Sequence, residues 1–346
     1  LNRKRLYIII AVVLVVALAI SGSIYYFNSN NYVVKVGDKK ISKEEYQFFL
    51  SLAENQVKTT LGITTLGETE MKTKVGNQTI EELIRETALD KAVEYKIELV
   101  KAGEQKIALS SEELKNLNAN LDQFIESFGS ALEADKQLKE QYGVDEKSFK
   151  SIYKQFSLTQ KFRSEESKKI TFSDEEIKAE YDSDPGKYGE VTIKHVLIKT
   201  IDDAGAALPE DKIKEAEAKA NGILSQVNSG QDIGLLAKEY SEDPGSKDTG
   251  GEYTFKKDGQ MVPEFENWAF EHKEGDTGVV KTSYGYHVMK LEKLNIPSFD
   301  EVKDSVKNEM VSSKFNEDYA KQMETWKKEA QFIVTKNEKK LSDIKI

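Results

Sequence analysis

All five prolines of this chain (Pro185, Pro209, Pro244, Pro263 and Pro297) fall between residues 185 and 297. A proline ring removes a backbone donor and clashes with the preceding turn, so helix interiors exclude it. The two proline-free flanks are therefore free to run as long helices, while the middle must break into short elements. This placement predicts a helical region over 40–182, a compact mixed domain over 188–294 and a helical tail. With the N-terminal segment separated, the domains are drawn at 1–27, 28–187, 188–295 and 296–346.

The first flank opens with a strand pattern, Tyr32-Val33-Val34-Lys35-Val36, and a Gly37-Asp38 turn. Ser42 with Glu45, Ser110 with Glu113 and Ser173 with Glu176 each have the spacing of a capping box, in which hydroxyl and carboxylate satisfy each other's backbone donors. Helical periodicity follows, as in Ile80, Leu83, Ile84 and Ala88, and in Phe149, Ile152, Tyr153 and Phe156. This flank holds no histidine. It reads either as a plain scaffold or as a cradle of apolar side chains for a client polypeptide. The tail, Phe299 to Ile333, carries the stripe Val302, Val306, Met310, Phe315, Tyr319, Met323 and Trp326. One helix cannot bury such a stripe alone, so the tail is expected to pack on the first flank. Residues 337–346 are polar and expected to fray.

At the N-terminus, Arg3, Lys4 and Arg5 precede an unbroken apolar run from Leu6 to Ile20, with Tyr25, Tyr26 and Phe27 beyond it. Leu6 to Phe27 has the length of a membrane-crossing helix, and the basic cluster favours a cytoplasmic N-terminus. The alternative is a cleaved signal segment, since Ala17-Leu18-Ala19 and Ser21-Gly22-Ser23 are small. Either way the remainder lies outside the cytoplasm: cell membrane, single-pass, or secreted after cleavage. Fifty basic residues against 60 acidic ones leave a net charge of −10. No basic patch is available to displace counterions from nucleic acid. With no cysteine, disulfides, thiolate metal sites and cysteine nucleophiles are excluded. Three histidines are a poor basis for a metal centre, and no cofactor is expected.

The middle domain reads as strand (Val191 to Lys199), two helices, strand (Tyr253 to Phe255), helix (Glu264 to Phe270) and a closing strand pair across Ser283-Tyr284-Gly285. That order gives an α+β unit with one antiparallel sheet. Within it stand Lys194-His195-Val196-Leu197-Ile198, then Leu236-Ala237-Lys238-Glu239-Tyr240-Ser241-Glu242-Asp243-Pro244-Gly245-Ser246 with Gly250-Gly251. Gly259-Gln260-Met261-Val262-Pro263-Glu264-Phe265 and Val280-Lys281-Thr282-Ser283-Tyr284-Gly285-Tyr286-His287 follow. These four segments, in this order, resemble the parvulin-type peptidyl-prolyl isomerases. The whole layout resembles the PrsA/SurA group of extracytoplasmic foldases, in which a helical chaperone domain surrounds a parvulin domain.

The resemblance implies a four-stranded antiparallel sheet inserted in a mostly α-helical domain. It implies a polar cluster of His195, Asp243, Thr282 and His287 beside a proline socket of Met261 and Phe265, with Tyr253 and Tyr284 as further walls. Read without the resemblance, Met261 and Phe265 at i, i+4 are core residues, Asp243 before Pro244 is turn chemistry, and Tyr284 is an exposed hairpin residue. His272, after a helix, is expected in solvent. The chain departs from the family's Gly-Gly-Asp-Leu-Gly pattern at Gly250-Gly251-Glu252-Tyr253-Thr254, so a tyrosine stands where an aliphatic wall is usual. The expected function is isomerisation of X-Pro bonds and chaperoning of unfolded exported polypeptides, with a homodimer through the helical domain as a further expectation. The alternative is a holdase whose parvulin domain binds clients with little turnover.

Overall fold

The computed structural model describes residues 32–346; the anchor or signal segment expected at 1–27 lies outside the described residues. Among the described residues no helix is long and apolar enough to cross a membrane. The chain forms two compact units, one taking the chain up to Ile170 together with Ser313–Ile346, the other Thr171–Ser312.

The first unit begins with a hairpin, β1 (Tyr32–Val36) and β2 (Lys39–Ser42). Four of its long helices then follow: α1 (Lys43–Leu61), α2 (Ile80–Glu104), α3 (Ser111–Glu126) and α5 (Glu146–Ser167), with the shorter α4 (Ala131–Tyr142) before the last. Capping boxes form at Ser42 with Glu45 and at Ser110 with Glu113, as their spacing predicts, and a further one at Thr79 with Glu82. The helices bury their apolar stripes against one another, with Phe48, Phe49, Tyr95 and Phe149 at the centre. Two charged groups are inside as well. Glu45 pairs with Lys96 at 2.5 Å, both side chains about one-tenth exposed. Glu98 accepts hydrogen bonds from Arg163 Nε at 2.7 Å and from the Tyr319 hydroxyl at 2.9 Å. Burial pushes the Glu98 carboxyl above its ordinary range, against the pull of the Arg163 guanidinium.

The tail helix covers Phe299–Lys327, shorter than the expected reach to Ile333, and from Ser313 onward it belongs to the first unit. Beyond it, Val334–Lys336 is a strand that pairs antiparallel with β1, giving a three-stranded sheet. Gly37, at φ +60°, turns under this junction: a Cβ there would sit 1.8 Å from the Gln331 carbonyl oxygen. Residues 337–346 do not fray as the polar composition implies. A short helix, Glu338–Ser342, brings Ile344 into the core, and Arg85 donates to its carbonyl at 3.0 Å.

The second unit holds α6 (Asp174–Ser183), β3 (Glu190–Lys199), α7 (Glu210–Asn228), α8 (Ile233–Tyr240), β4 (Glu252–Lys256), α9 (Pro263–Glu271), β5 (Thr277–Lys281) and β6 (Gly285–Asn295). The four strands form one antiparallel sheet in the order β4-β3-β6-β5. Successive side chains on a strand point to opposite faces. Val196, Ile198, Tyr286 and Val288 therefore pack under α7 and α8, and Val191, Ile193, Met289 and Leu291 under α9. The same alternation puts His195 and His287 on the α9 face. The register sets Leu197 opposite His287 and His195 opposite Met289, so the two imidazoles are diagonal neighbours.

Candidate active site

The loop from Ser241 to Gly251 is built to bring a carboxylate under His195. The Ser241 hydroxyl, fully buried, accepts from the backbone of Leu197 on β3 and of Asp243. Asp243 Oδ1 then accepts from the Gly245 N–H at 3.2 Å, a turn that its side chain closes on its own backbone. The loop ends on Gly250 and Gly251, at φ +78° and +73°. The Gly251 carbonyl accepts from the His195 N–H at 2.9 Å, and a Cβ on Gly251 would lie 2.0 Å from the His195 carbonyl oxygen. Only glycine fits both the dihedral and the approach.

The two imidazoles meet through their Nδ1 atoms at 3.1 Å. His195 Nε2 faces Asp243 Oδ2 at 3.1 Å and Ser246 Oγ at 3.0 Å; His287 Nε2 faces Thr282 Oγ1 at 2.9 Å. The ends fix the tautomers. An ionised carboxylate only accepts, so in its neutral form His195 carries its proton on Nε2 and offers a lone pair at Nδ1. His287 must then donate from Nδ1 and accept at Nε2 from the Thr282 hydroxyl. Thr282 in turn accepts from the Tyr284 N–H at 3.1 Å. The result is one directed chain of donors, from the Tyr284 backbone through Thr282, His287 and His195 to Asp243.

Both imidazoles are buried. Burial, reinforced by His195, holds His287 down to about 3, so it is neutral near pH 7. The His195 hydrogen bond, with help from Ser246, holds the Asp243 carboxyl well below the usual carboxylate range. His287 therefore adds no positive charge to the cluster near neutral pH, and Asp243 supplies a negative one. A histidine whose folded pKa is depressed binds protons more readily when unfolded. Its stabilising contribution is complete above its ordinary value near 6.5 and is lost as pH falls from there towards about 3. Calorimetry should show the wild type losing a few kcal/mol across that acid window. A His287→Gln variant, less stable at pH 7, should show a flatter acid slope; equal slopes would contradict the assignment.

Phe265, 3% exposed, meets both imidazoles edge-on, with ring centroids 5.2 Å from each. Met261, at the entrance to α9, and Tyr253 on β4 are half-buried and pack on the same cluster. The structure thus brings together His195, Asp243, Thr282, His287, Met261, Phe265 and Tyr253. Tyr284 stands apart: its side chain is half exposed, and only its backbone joins the network. His272 is not free in solvent. It donates to the Trp268 carbonyl and stacks on the Trp268 ring at 4.4 Å, one helical turn back. Sequence reasoning passed over Ser246, which donates to Asp243 Oδ2 at 2.5 Å and is fully buried. The signal was there in the Asp-x-x-Ser spacing, which lets a serine hydroxyl turn back onto the carboxylate.

The comparisons with known proteins agree on both units. The PPIC-type PPIASE domain family matches residues 178–294, and the SurA-like N-terminal domain family matches residues 2–131. Foldase protein PrsA 3 of Bacillus anthracis is 31% identical over 261 residues, covering 74% of this chain and 79% of that protein. Foldase protein PrsA of Clostridium acetobutylicum is 32% identical over 268 residues, 74% of each. Among solved structures, the peptidylprolyl isomerase (PrsA) of Bacillus cereus is 23% identical, with 92% of this chain and 95% of that one covered at a TM-score of 0.40.

Proposed function

We infer, for a chain that belongs to the PrsA family of foldases and is a peptidyl-prolyl cis/trans isomerase, that its rate enhancement comes from the field of Asp243 acting beside a proline socket. Amide resonance keeps the X-Pro bond planar and puts negative charge on its oxygen and positive charge on its nitrogen. In the twisted transition state that polarisation is lost. A carboxylate near the carbonyl oxygen therefore repels the planar isomers more than the twisted one. This is differential binding, and no bond is broken. A thousandfold acceleration needs roughly 4 kcal/mol of such difference.

The observation that carries this reading is the shared buried cluster, in which every neighbour of Asp243 donates to it and both imidazoles are held in one tautomer. Donors on all sides make Asp243 a fixed charge rather than a nucleophile. Met261 and Tyr253 form the walls of the socket and Phe265 its floor, with Tyr284 at its outer rim; Thr282 and His287 hold His195. In an NMR exchange assay on a short X-Pro peptide, Asp243→Asn keeps the shape and removes the charge. It should lower kcat/KM by about tenfold or more, equal to about 1.4 kcal/mol of transition-state preference. Full activity in Asp243→Asn would end the electrostatic reading.

The helical unit is the chaperone part of this foldase, and the segment 2–131 carries the SurA-like match. Client segments are placed on an aromatic hollow of about 400 Å³ lined by Leu117, Leu121, Phe124, Tyr142, Phe149 and Tyr153. The basic-then-apolar N-terminus supports a tether that leaves the bulk of the chain outside the cytoplasm, acting on exported polypeptides. Resistance of the protein to alkaline extraction from membranes, with protease access from outside, checks it. A homodimer through the helical unit is tested by sedimentation of the full chain, with Leu132→Glu, at a position 83% exposed on α4, as one variant.

A further inference from the structure

We propose that Tyr253 and Gly245 act as a coupled pair that positions the Asp243 carboxylate, so that the wall of the socket and the charged group move as one; this rests on the isomerase reading above. Asp243 Oδ2 receives three donors, His195 Nε2 at 3.1 Å, Ser246 Oγ at 2.5 Å and the Tyr253 hydroxyl at 3.0 Å, while Oδ1 receives only the Gly245 N–H. Tyr253 also packs with Phe265 and Met261 in the socket, its ring 5.5 Å from that of His195. It stands at the position where the chain departs from the aliphatic pattern of the resembled family. Its backbone is fixed, because β4 pairs with β3 at Ile193–Tyr253.

The phenol can reach the carboxylate only because residue 245 has no side chain. A Cβ there would lie 2.3 Å from the Tyr253 hydroxyl oxygen and 3.5 Å from Asp243 Oδ1. Gly245 is not among the glycines with positive φ, so its backbone alone does not demand glycine. What forbids a side chain at 245 is the phenol oxygen, and the next ring atom, Cζ, would be 3.6 Å away, an ordinary contact. Gly245 and Tyr253 are thus fitted to each other, and the product of that fit is a third donor on Asp243.

The test is a double-mutant cycle on the full chain, read as kcat and KM for an X-Pro peptide, with urea denaturation as the fold control. Tyr253→Phe keeps the ring in the socket and removes the donor. It should lower kcat about tenfold, the weight of one hydrogen bond to a charged group, and leave KM within about twofold, as for an interaction felt in the transition state. Gly245→Ala should cost at least as much in the wild-type background and add little in Tyr253→Phe. If Gly245→Ala does not fold, recovery of the fold in the double variant supports the pair and failure to recover overturns it. Wild-type kcat in Tyr253→Phe, or strictly additive losses, also overturns it. His195→Ala is measured alongside. If it loses activity while Tyr253→Phe keeps wild-type kcat, only the pairing fails; if it is fully active, the isomerase site itself is misplaced and the pairing falls with it.

Discussion

His195→Ala is expected to lower kcat/KM for an X-Pro peptide about a hundredfold, the cost typical of deleting one preorganised polar group from an active site. The side chain is the middle of the donor chain. Its loss frees the Nδ1–H of His287, takes a partner from Asp243 Oδ2 and removes the ring that Phe265 meets edge-on. Leaving those buried groups unsatisfied should also cost about 1–3 kcal/mol of stability, visible as a lower urea midpoint. Suppression of aggregation of an unfolded client, by contrast, should persist, since the aromatic hollow lies in the other unit. An exchange assay and a light-scattering assay on the same preparation separate the two. If turnover survives, or if both activities vanish in a folded variant, the division of labour is wrong.

Lys96→Met should destabilise the helical unit by about 3–5 kcal/mol, because it leaves the Glu45 carboxylate buried without its counter-charge. Glu45 serves twice: Oε1 holds Lys96 at 2.5 Å, and Oε2 caps the Ser42 N–H at 2.9 Å. The hydrogen bond to Ser42 survives the substitution, but the charge does not find another partner. Adding Glu45→Gln keeps the cap and removes the charge, so the double variant should recover much of the loss. Chemical denaturation of the three variants gives the sign and size of the coupling. A single variant as stable as wild type would show that the pair is effectively solvated.

The sheet and most helices were legible because their signals are local. Hydroxyl and carboxylate at i and i+3 close a box whatever the rest of the chain does, and alternation over Val191 to Lys199 fixes which residues share a face. The meeting of His195 with His287 was legible only through resemblance, since periodicity gives a face but not the register between strands 92 residues apart. Register depends on turn geometry and the whole hydrophobic pattern. Glu98 was illegible: on a helix rich in charge it looks solvated, and its partners Arg163 and Tyr319 are 65 and 221 residues away. The same holds for the C-terminal decapeptide, whose lysines mask the apolar positions Leu341, Ile344 and Ile346 that pack on the core. Tyr253 was visible as a departure, but its hydrogen bond to Asp243 was not, because nothing in composition places a phenol over a glycine.

The pairing of β1 with Val334–Lys336 joins positions about 300 residues apart in the chain, and contacts of such separation form slowly. Trp326, Phe332 and Ile344 complete the same core as Phe48 and Phe49. While the ribosome is still making the isomerase unit, the first helices are therefore already present with their greasy side uncovered. They stay so until residues 326–344 have been made. An assistant to other nascent chains passes through an interval in which it needs the same assistance, and deleting residues 332–344 should make that interval permanent.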